Sequence, residues 1–287
     1  MSHRVHLQSP ERNGNPSRSV RLGQNFLVDR KLVSQLVGES TIGCTDVVYE
    51  IGPGRGALTE VLSLKAGKVI AVEKDPELYR ALCGRLSGRP NVELHLGDFC
   101  RFQVPARHYR VFASIPFNMT ALVVRTLLGR RHSPSDAWLV VQRESAEKFA
   151  GDGRSSLFSV LYGPWFAMRI VRDIPREAFS PVPAVAVVLL HIQRRVLPLV
   201  EDRNAVLYRR FAMYGFSGWK PNLKMAYRSI FSHAQWKRLS ADLGFDACAT
   251  CTQLTLAQWV GIFSWMLRGV PEQKWGPILG TFGGAGP

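Results

Sequence analysis

The sequence predicts an α/β fold, in which helices cover both faces of a parallel sheet, followed by a small all-helical domain. Two observations lead to this prediction. Up to about residue 195, short apolar runs of strand length alternate with stretches of helix length, which is typical of parallel sheets buried on both faces. After residue 195, apolar residues recur at three- and four-residue spacing without strand patterns, which indicates helices.

The apolar runs define the predicted elements. The predicted strands are Val47–Ile51, Val69–Val72, Val92–Leu96, Val111–Ala113, Ala137–Val141 and Ala186–Ile192. The predicted helices are Leu58–Leu64, Glu77–Leu86, Leu122–Leu128, Val206–Tyr214, Leu223–Phe231, Ala234–Leu243 and Leu256–Met266. We expect four regions: a flexible basic arm at 1–20, the α/β domain at 21–195, a helical domain at 196–270, and a disordered tail rich in glycine and proline at 271–287.

Composition and charge indicate a globular protein with a polyanionic partner. The 287 residues are 46% hydrophobic and 21% charged, which is enough apolar content for a packed core. The formal net charge of +15 favours nucleic acid over a membrane surface, because no basic amphipathic helix has a strong apolar face. Without a secretory signal or a membrane span, and with five cysteines, we expect a reducing, cytoplasmic location. Cys248 and Cys251 lack a second pair of ligands, so we predict no metal site.

A glycine-rich turn follows the first predicted strand. Gly52, Gly54 and Gly56 have G-x-G-x-G spacing directly after the apolar run that ends at Ile51. Glycine lets the backbone turn tightly and approach a ligand without a clash from Cβ. This motif alone does not separate a methyl-donor cofactor from a nicotinamide cofactor.

Three acidic residues at successive strand ends separate these alternatives. Glu50 precedes the glycines, Glu73 ends the second strand, and Asp98 follows the third. We expect Glu73 to bind ribose hydroxyls and Asp98 to accept the exocyclic amine of an adenine. S-adenosylmethionine fits this set, since its cationic sulfonium and amino group need no phosphate cradle. The alternative is that each acid caps a helix.

The segment after the fourth strand, S-I-P-F at residues 114–117, suits chemistry on an aromatic amine. The lone pair of such an amine is delocalised, so two acceptors that bind its N–H groups favour a pyramidal, reactive nitrogen. We predict that these acceptors are Ser114 and the carbonyl of Ile115, that Pro116 fixes the turn and that Phe117 stacks on the base. Direct methyl displacement then needs mainly alignment and electrostatics. The alternative is an ordinary turn.

As an ordered set, the motifs resemble the Erm-type 23S rRNA adenine-N6 methyltransferases and the related small-subunit rRNA adenine dimethylases, over roughly residues 20–270. The motifs are G-Q-N-F-L-V-D at 23–29, E-I-G-P-G-R-G-A-L-T at 50–59, V-E-K-D at 72–75, G-D-F at 97–99, S-I-P-F at 114–117, V-Q-R-E at 141–144 and F-S-P-V-P-A-V at 179–185. The resemblance implies a seven-stranded Rossmann-like class I methyltransferase domain that binds S-adenosylmethionine, and a small C-terminal all-helical domain that binds RNA.

The resemblance also implies roles for individual residues. Gln24 and Asn25 would line the methionine end of the cofactor, and Phe179 would stack on the target adenine opposite Phe117. The cofactor-binding residues expected from the motifs are Gln24, Asn25, Leu27, Glu50, Gly52, Gly54, Gly56, Glu73, Lys74, Asp98, Phe99 and Ser114. Basic residues expected to contact phosphates are Arg125, Arg130, Arg131, Arg143, Lys148, Arg154, Arg209, Arg210, Lys220 and Lys224.

The implied activity is methylation of the exocyclic N6 of one adenine in the peptidyl-transferase loop of 23S rRNA. We expect a monomer that acts on protein-free rRNA or an assembling large subunit and confers macrolide-lincosamide-streptogramin B resistance. R-R-V-L-P-L at 194–199 and the high charge favour this Erm-type reading. The family usually has Asn where this chain has Ser114. We therefore expect mainly monomethyladenine, because the shorter serine is a weaker acceptor.

Other functions stay open at this point. They are a small-subunit rRNA adenine dimethylase, a non-catalytic RNA-binding protein or transcription factor of the same fold, and a nicotinamide-dependent oxidoreductase. Serine in the S-I-P-F position also occurs in cytosine-N4 methyltransferases, which leaves a different target base as a minor alternative.

Overall fold

The computed structural model describes residues 25–104, 108–129, 132–218 and 220–280. Outside these ranges lie the predicted arm at 1–20, residues 281–287 of the predicted tail, and three residues with predicted contacts, Gln24, Arg130 and Arg131.

Seven of the nine strands in the described residues form one sheet. In chain order the strands are β1 (Phe26–Leu27), β2 (Val47–Ile51), β3 (Lys68–Glu73), β4 (Val92–Leu96), β5 (Arg110–Ser114), β6 (Asp136–Gln142), β7 (Phe166–Ile174), β8 (Phe179–Ser180) and β9 (Val187–Arg194). The seven-stranded sheet has the order β4-β3-β2-β5-β6-β9-β7, and β1 pairs with β8 in a separate two-stranded ribbon.

The sheet is parallel only in part. Strands β2 to β6 are parallel to one another, whereas β9 runs antiparallel between β6 and β7. The sequence predicted a parallel sheet, and the antiparallel pairing of β9 at this edge departs from that prediction; β7 was not predicted at all. As an edge strand, β7 is only partly buried and carries Arg169, Arg172 and Asp173, so it lacks the continuous apolar run of a central strand.

Helices cover the sheet, and a helical region follows it. The first six are α1 (Arg30–Glu39), α2 (Ala57–Lys65), α3 (Pro76–Arg85), α4 (Thr120–Gly129), α5 (Arg143–Ala150) and α6 (Leu157–Tyr162). The C-terminal five are α7 (Ala205–Phe216), α8 (Leu223–Ala226), α9 (His233–Asp242), α10 (Leu256–Gly269) and α11 (Gly276–Leu279). Polar caps begin several of them; Ser232 and Thr255 form capping boxes at the starts of α9 and α10.

Two predictions in the C-terminal region were wrong. The helix predicted for Leu223–Phe231 ends at Ala226 and gives way to turns, in which the Ile230 and Phe231 N–H groups both donate to the Tyr227 carbonyl. The predicted disordered tail begins with ordered residues, since a 3-10 turn at Glu272–Trp275 leads into α11. Ile278 is fully buried there. Pro271 and Pro277 stand at helical starts, where proline is favoured, so proline content was a misleading sign of disorder.

The core is continuous across the sheet and the helical region. One face of the sheet shares a cluster with the C-terminal helices, in which the rings of Trp165 and Tyr208 meet edge to face at 5.7 Å. The other face packs against α1 and α2. None of the helices in the described part of the chain has the length and apolarity that a bilayer crossing requires.

A buried polar network lies at the amino ends of β5 and β6. Asp136 and His191 are each 2% exposed and hydrogen-bonded to one another. The second Asp136 oxygen accepts from Thr41 and from Arg110, whose Nη1 lies 2.7 Å away. Burial alone would raise the pKa of Asp136, but the hydrogen bonds from His191 and Thr41 and the nearby positive charges hold that pKa below its ordinary value.

Asp136→Asn should lower the free energy of unfolding at pH 7 by about 3 kcal/mol, because it leaves Arg110 and His191 without their buried partner. The folded-state pKa of Asp136 is depressed, so its stabilisation is present above the unfolded pKa, near 3.9, and is lost as pH falls below it. Urea unfolding from pH 7 down to pH 3 measures both effects.

The matched control is Glu39→Gln, which removes the exposed partner of Arg172, 2.5 Å away. An exposed pair should contribute less than about 1 kcal/mol. Equal losses in the two variants would contradict the role assigned to the buried network.

Candidate functional site

The glycine-rich turn after β2 adopts backbone that favours glycine. Gly52, Gly54 and Gly56 have φ values of 64°, 59° and 81°. A Cβ on Gly54 would lie 2.9 Å from the Phe26 ring, and one on Gly56 would lie 2.7 Å from Leu82. A Cβ on Gly52 would meet no described atom within 4 Å, so this residue faces open space at the carboxyl edge of the sheet.

Glu50, at the end of β2, is a buried acid with an unused oxygen. It is 1% exposed, and within the described ranges Oε2 forms no hydrogen bond of good geometry. Burial raises the pKa of Glu50 to about 8; the nearby Thr59 hydroxyl opposes the shift and the charge of Glu73 adds to it. The free protein therefore holds Glu50 largely as a neutral acid at pH 7.

Glu73, at the end of β3, holds the glycine-rich turn in place by hydrogen bonds. Its Oε2 accepts the Gly54 N–H at 3.0 Å, and its Oε1 accepts the Asp75 N–H at 2.8 Å. Glu73 is 3% exposed and borders two of the cavities at this edge. Each carboxylate oxygen has two lone pairs, so both can accept a further hydrogen bond from a ligand.

The larger cavity at this edge has a volume of about 380 Å³. Glu73, Lys74, Asp98, Phe99 and Ile115 are among its lining residues. Asp98 accepts from Lys74 Nζ at 2.9 Å and from the Cys100 N–H at 2.9 Å, and these bonds lower the pKa of Asp98. The structure thus brings the predicted ribose and adenine acids to one cavity.

Two smaller cavities, of about 50 and 40 Å³, lie between the glycine-rich turn and the end of β5. Asn25, Phe26 and Ser114 line both of them. Phe26 was not predicted as a site residue, although it lies within the N-terminal motif. Its ring fills the space over Gly54, and the guanidinium carbon of Arg55 lies 4.8 Å from its centroid.

The S-I-P-F turn lies beside the same cavities. Ser114, Ile115, Pro116 and Phe117 line the 50 Å³ cavity together with Glu73. The Ile115 N–H donates to the Val140 carbonyl at 3.1 Å, which anchors the turn to β6. The turn therefore lies next to the acids and glycines, as the sequence predicted.

The structure does not expose two of the predicted side chains. Phe179 is 2% exposed, and Leu27, its partner in the β1–β8 ribbon, is 7% exposed. Both belong to the apolar cluster on the α1 and α2 side of the sheet, and Phe117 packs against that cluster. Phe179 thus presents no free ring face to a base in this conformation, because pairing with β1 keeps it in the core. Leu27 lines the 40 Å³ cavity.

Metal ligands are not assembled in the described part of the chain. No three His, Cys, Asp or Glu side chains within those ranges are grouped to hold an ion. Cys248 and Cys251 are free thiols, the former exposed.

Residues 16–267 match the model of a known family, ribosomal RNA adenine dimethylase. The chain belongs to this family. An rRNA adenine N-6-methyltransferase of Bacillus licheniformis is 31% identical over 256 residues, which cover 88% of each chain. A family relative in Moorella thermoacetica, ribosomal RNA small subunit methyltransferase A, is 31% identical over 243 residues, covering 78% of this chain and 84% of the relative.

The crystal structure of the 23S rRNA methyltransferase ErmE is similar to this fold. Its TM-score is 0.78 at 29% identity, over 84% of this chain and 99% of ErmE. Family membership and this likeness confirm the predicted Rossmann-like methyltransferase fold with its C-terminal helical region.

Proposed function

We propose that the protein transfers a methyl group from S-adenosylmethionine to the exocyclic N6 of an adenine in the peptidyl-transferase loop of 23S rRNA. The observation that carries this proposal is Ser114, which lines the cavities beside the glycine-rich turn and belongs to the S-I-P-F turn. Ser114 would therefore be within reach of both the bound cofactor and the amine of the target adenine.

The acids and glycines suit a cationic adenosyl cofactor. The unused oxygen of Glu50 is a partner for an ammonium group, and the open side of Gly52 admits a ligand next to the backbone. Glu73 and Asp98 border the cavity that is large enough for an adenosine. Two carboxyl groups beside the glycine-rich turn would disfavour the pyrophosphate of a nicotinamide cofactor, so the oxidoreductase alternative has little support.

The reaction requires positioning more than acid–base chemistry. When bound, S-adenosylmethionine supplies an electrophilic methyl on its sulfonium. The Ser114 hydroxyl and the Ile115 carbonyl would accept the two N–H bonds of the adenine amine and aim its lone pair. Phe117 would stack on the base, an interaction that is worth ~1–3 kcal/mol.

Several predicted phosphate contacts are available to RNA. Arg143 pairs with Asp173 and Glu147, and Lys148 pairs with Glu144, so these two are less free for phosphates. Six others form no ion pair with the described acidic residues: Arg125, Arg154, Arg209, Arg210, Lys220 and Lys224. Arg209 is less available, because its guanidinium carbon lies 5.7 Å and 5.3 Å from the ring centroids of Tyr162 and Trp165 and its Nε is buried. The charges of the other five support a strongly salt-dependent contact with an RNA backbone.

The proposal also specifies which rRNA is the target, that of the large ribosomal subunit. The likeness to ErmE over nearly the whole ErmE chain favours 23S rRNA, whereas the Moorella relative keeps a small-subunit target as the second candidate. Resistance to macrolide, lincosamide and streptogramin B antibiotics would follow from a methyl group in the drug-binding loop. A non-catalytic descendant is disfavoured, because the buried acids and the S-I-P-F turn are all in place.

Purified protein should methylate protein-free 23S rRNA and leave 16S rRNA largely unmodified. Transfer of a radiolabelled methyl group to each rRNA measures which rRNA is the substrate, and primer extension locates the methylated nucleotide. Heat-inactivated protein is the control. Exclusive labelling of 16S rRNA would replace the proposal with the small-subunit alternative.

Ser114→Asn should raise the share of dimethyladenine severalfold, because an amide carbonyl is a better acceptor for the once-methylated amine, by ~1 kcal/mol. Mass spectrometry of digested rRNA gives the ratio of the two products. Ser87→Asn makes the same change at an exposed site on the α3 side of the molecule and should leave that ratio unchanged. Dominant dimethyladenine from the unaltered protein would refute the serine hypothesis.

Glu73→Ala should weaken S-adenosylmethionine binding about 10- to 100-fold, since hydrogen bonds from ribose hydroxyls to a charged acceptor contribute ~1.5–3 kcal/mol. Calorimetric titration measures the affinity, and circular dichroism verifies folding. Glu77→Ala, at an exposed position in the first turn of α3, serves as control. A folded Glu73 variant with unchanged affinity would overturn the ribose assignment.

A further inference from the structure

A cavity of about 410 Å³, the junction cavity, lies where the α/β part of the molecule meets the helical region. Its walls come from the loop between α5 and α6, the start of β7, the residue after β9 and the turn before α10. This volume is within the range of ~300–1,000 Å³ that is typical of pockets for small ligands. None of its described lining residues belongs to the glycine-rich turn, the strand-end acids or the S-I-P-F turn.

Strand pairing places the junction cavity at the amino edge of the sheet, opposite the catalytic edge. Arg195, which lines the cavity, directly follows the end of β9 that pairs with the start of β7. Ser114 lies level with Leu189 of β9, because both pair with Val140. The extended chain from Leu189 to Arg195 spans roughly 20 Å. The junction cavity is therefore a separate site and not an extension of the catalytic cavities.

The lining of the junction cavity carries positive charge without a counter-charge. Arg154 and Arg195 border it, and no acidic side chain among the described residues does. Neither arginine forms an ion pair within the described ranges. Arg195 Nε donates to the Gly163 carbonyl at 2.9 Å, which anchors the guanidinium and leaves its terminal nitrogens for a ligand. An anchored, planar guanidinium matches the oxygens of a phosphate group.

The loop between α5 and α6 is fixed against the helical region, so the junction cavity is preformed. The Ser155 N–H donates to the Thr252 carbonyl at 3.0 Å, and the Ser155 hydroxyl donates to the Leu254 carbonyl at 2.5 Å. Gly153 in this loop has a φ of 74°, and a Cβ added to it would meet no described atom within 4 Å. The N–H groups of Gly153 and Arg154 donate to no described acceptor. These N–H groups add to the donors that the arginines offer to an anion.

We propose that the junction cavity binds the phosphate group of a nucleotide, with Arg154 and Arg195 as its cationic partners. The rest of the nucleotide would pack on the buried apolar side chains of Phe149, Phe166 and Leu254 in the lining. The nucleotide is either one unit of an RNA strand or a free molecule, because both present the same phosphate chemistry. This inference goes beyond the proposed function, which uses only the opposite edge of the sheet.

Binding of a labelled, protein-free 23S rRNA fragment to the full chain tests the RNA source. Fluorescence anisotropy gives the affinity between about 50 and 200 mM salt. Arg154→Gln and Arg195→Gln should each weaken binding severalfold at the lower salt and reduce the slope of log affinity against log salt by ~0.7–0.9. Arg172→Gln, on β7, is the matched control. Arg172 already pairs with Glu39 at 2.5 Å, so its loss should leave the slope unchanged.

Two substitutions at Gly153 separate the effect of charge from an effect on folding. Aspartate and asparagine are similar in size and both tolerate a positive φ, so Gly153→Asp and Gly153→Asn carry the same backbone strain. The Asp variant should bind the RNA fragment severalfold more weakly than the Asn variant at about 50 mM salt, and the difference should shrink at about 200 mM. Calorimetric titration with S-adenosylmethionine should give equal affinities in both variants, which verifies that the catalytic edge is intact.

Uridine monophosphate tests the free source, since an adenine nucleotide could enter the proposed cofactor cavity. Its binding in calorimetry, lost in Arg154→Gln and Arg195→Gln while the RNA salt slope is unchanged, would assign the junction cavity to a free nucleotide; a reduced slope assigns it to an RNA strand. Unchanged slopes without uridine monophosphate binding would rule the site out, as would equal affinities of the two Gly153 variants for both ligands. Failure of the unaltered protein to bind S-adenosylmethionine would instead count against the proposed function and leave these two binding tests readable.

Discussion

The carboxylate of Glu73 is the constraint on which the rest of the site depends. By accepting the Gly54 and Asp75 N–H groups, it ties the turn after β2 to the end of the neighbouring strand. Without this carboxylate, the buried Gly54 N–H would lose its hydrogen-bond acceptor, at a cost of about 1–3 kcal/mol. With the turn fixed, the small cavities form between Gly54 and Ser114, and the larger one forms beyond Gly52.

Buried acids at the two edges of the sheet differ in their hydrogen-bond partners and in the direction of their pKa shifts. At the amino edge, Asp136 has His191, Thr41 and Arg110 as partners, and its pKa is depressed. At the carboxyl edge, Glu50 lacks such partners and its pKa is raised. A fully satisfied buried acid contributes to a rigid structure, whereas an unsatisfied one is retained where a ligand completes it. The contrast therefore distinguishes a satisfied structural network from a candidate binding site within one sheet.

The sequence predicted the central part of the fold and the convergence of the site well, for a physical reason. The carboxyl ends of parallel strands meet at one edge, so acids at successive strand ends had to lie close together. Edge strand β7 escaped prediction because its polar residues mask the strand pattern. Phe26 escaped because its role depends on the distant pairing of β1 with β8. That long-range contact leaves no local pattern in the sequence, and it also accounts for the burial of Phe179.

Approximate free energies show how Phe179 could be buried in the free protein and still stack on a base in the RNA complex. Exposing a buried phenylalanine costs about 1.5–3 kcal/mol of free energy, and stacking on a base contributes about 1–3 kcal/mol of favourable free energy. These terms are nearly equal, so a ring that is buried in the free protein and stacked on a base in the RNA complex would require little net free energy. Phe117, which is already beside the cavity with Ser114, needs no such exchange. Under the proposed function, Phe117 would therefore position the base first, and Phe179 would stack on it only after leaving its pairing with Leu27 in the β1–β8 ribbon.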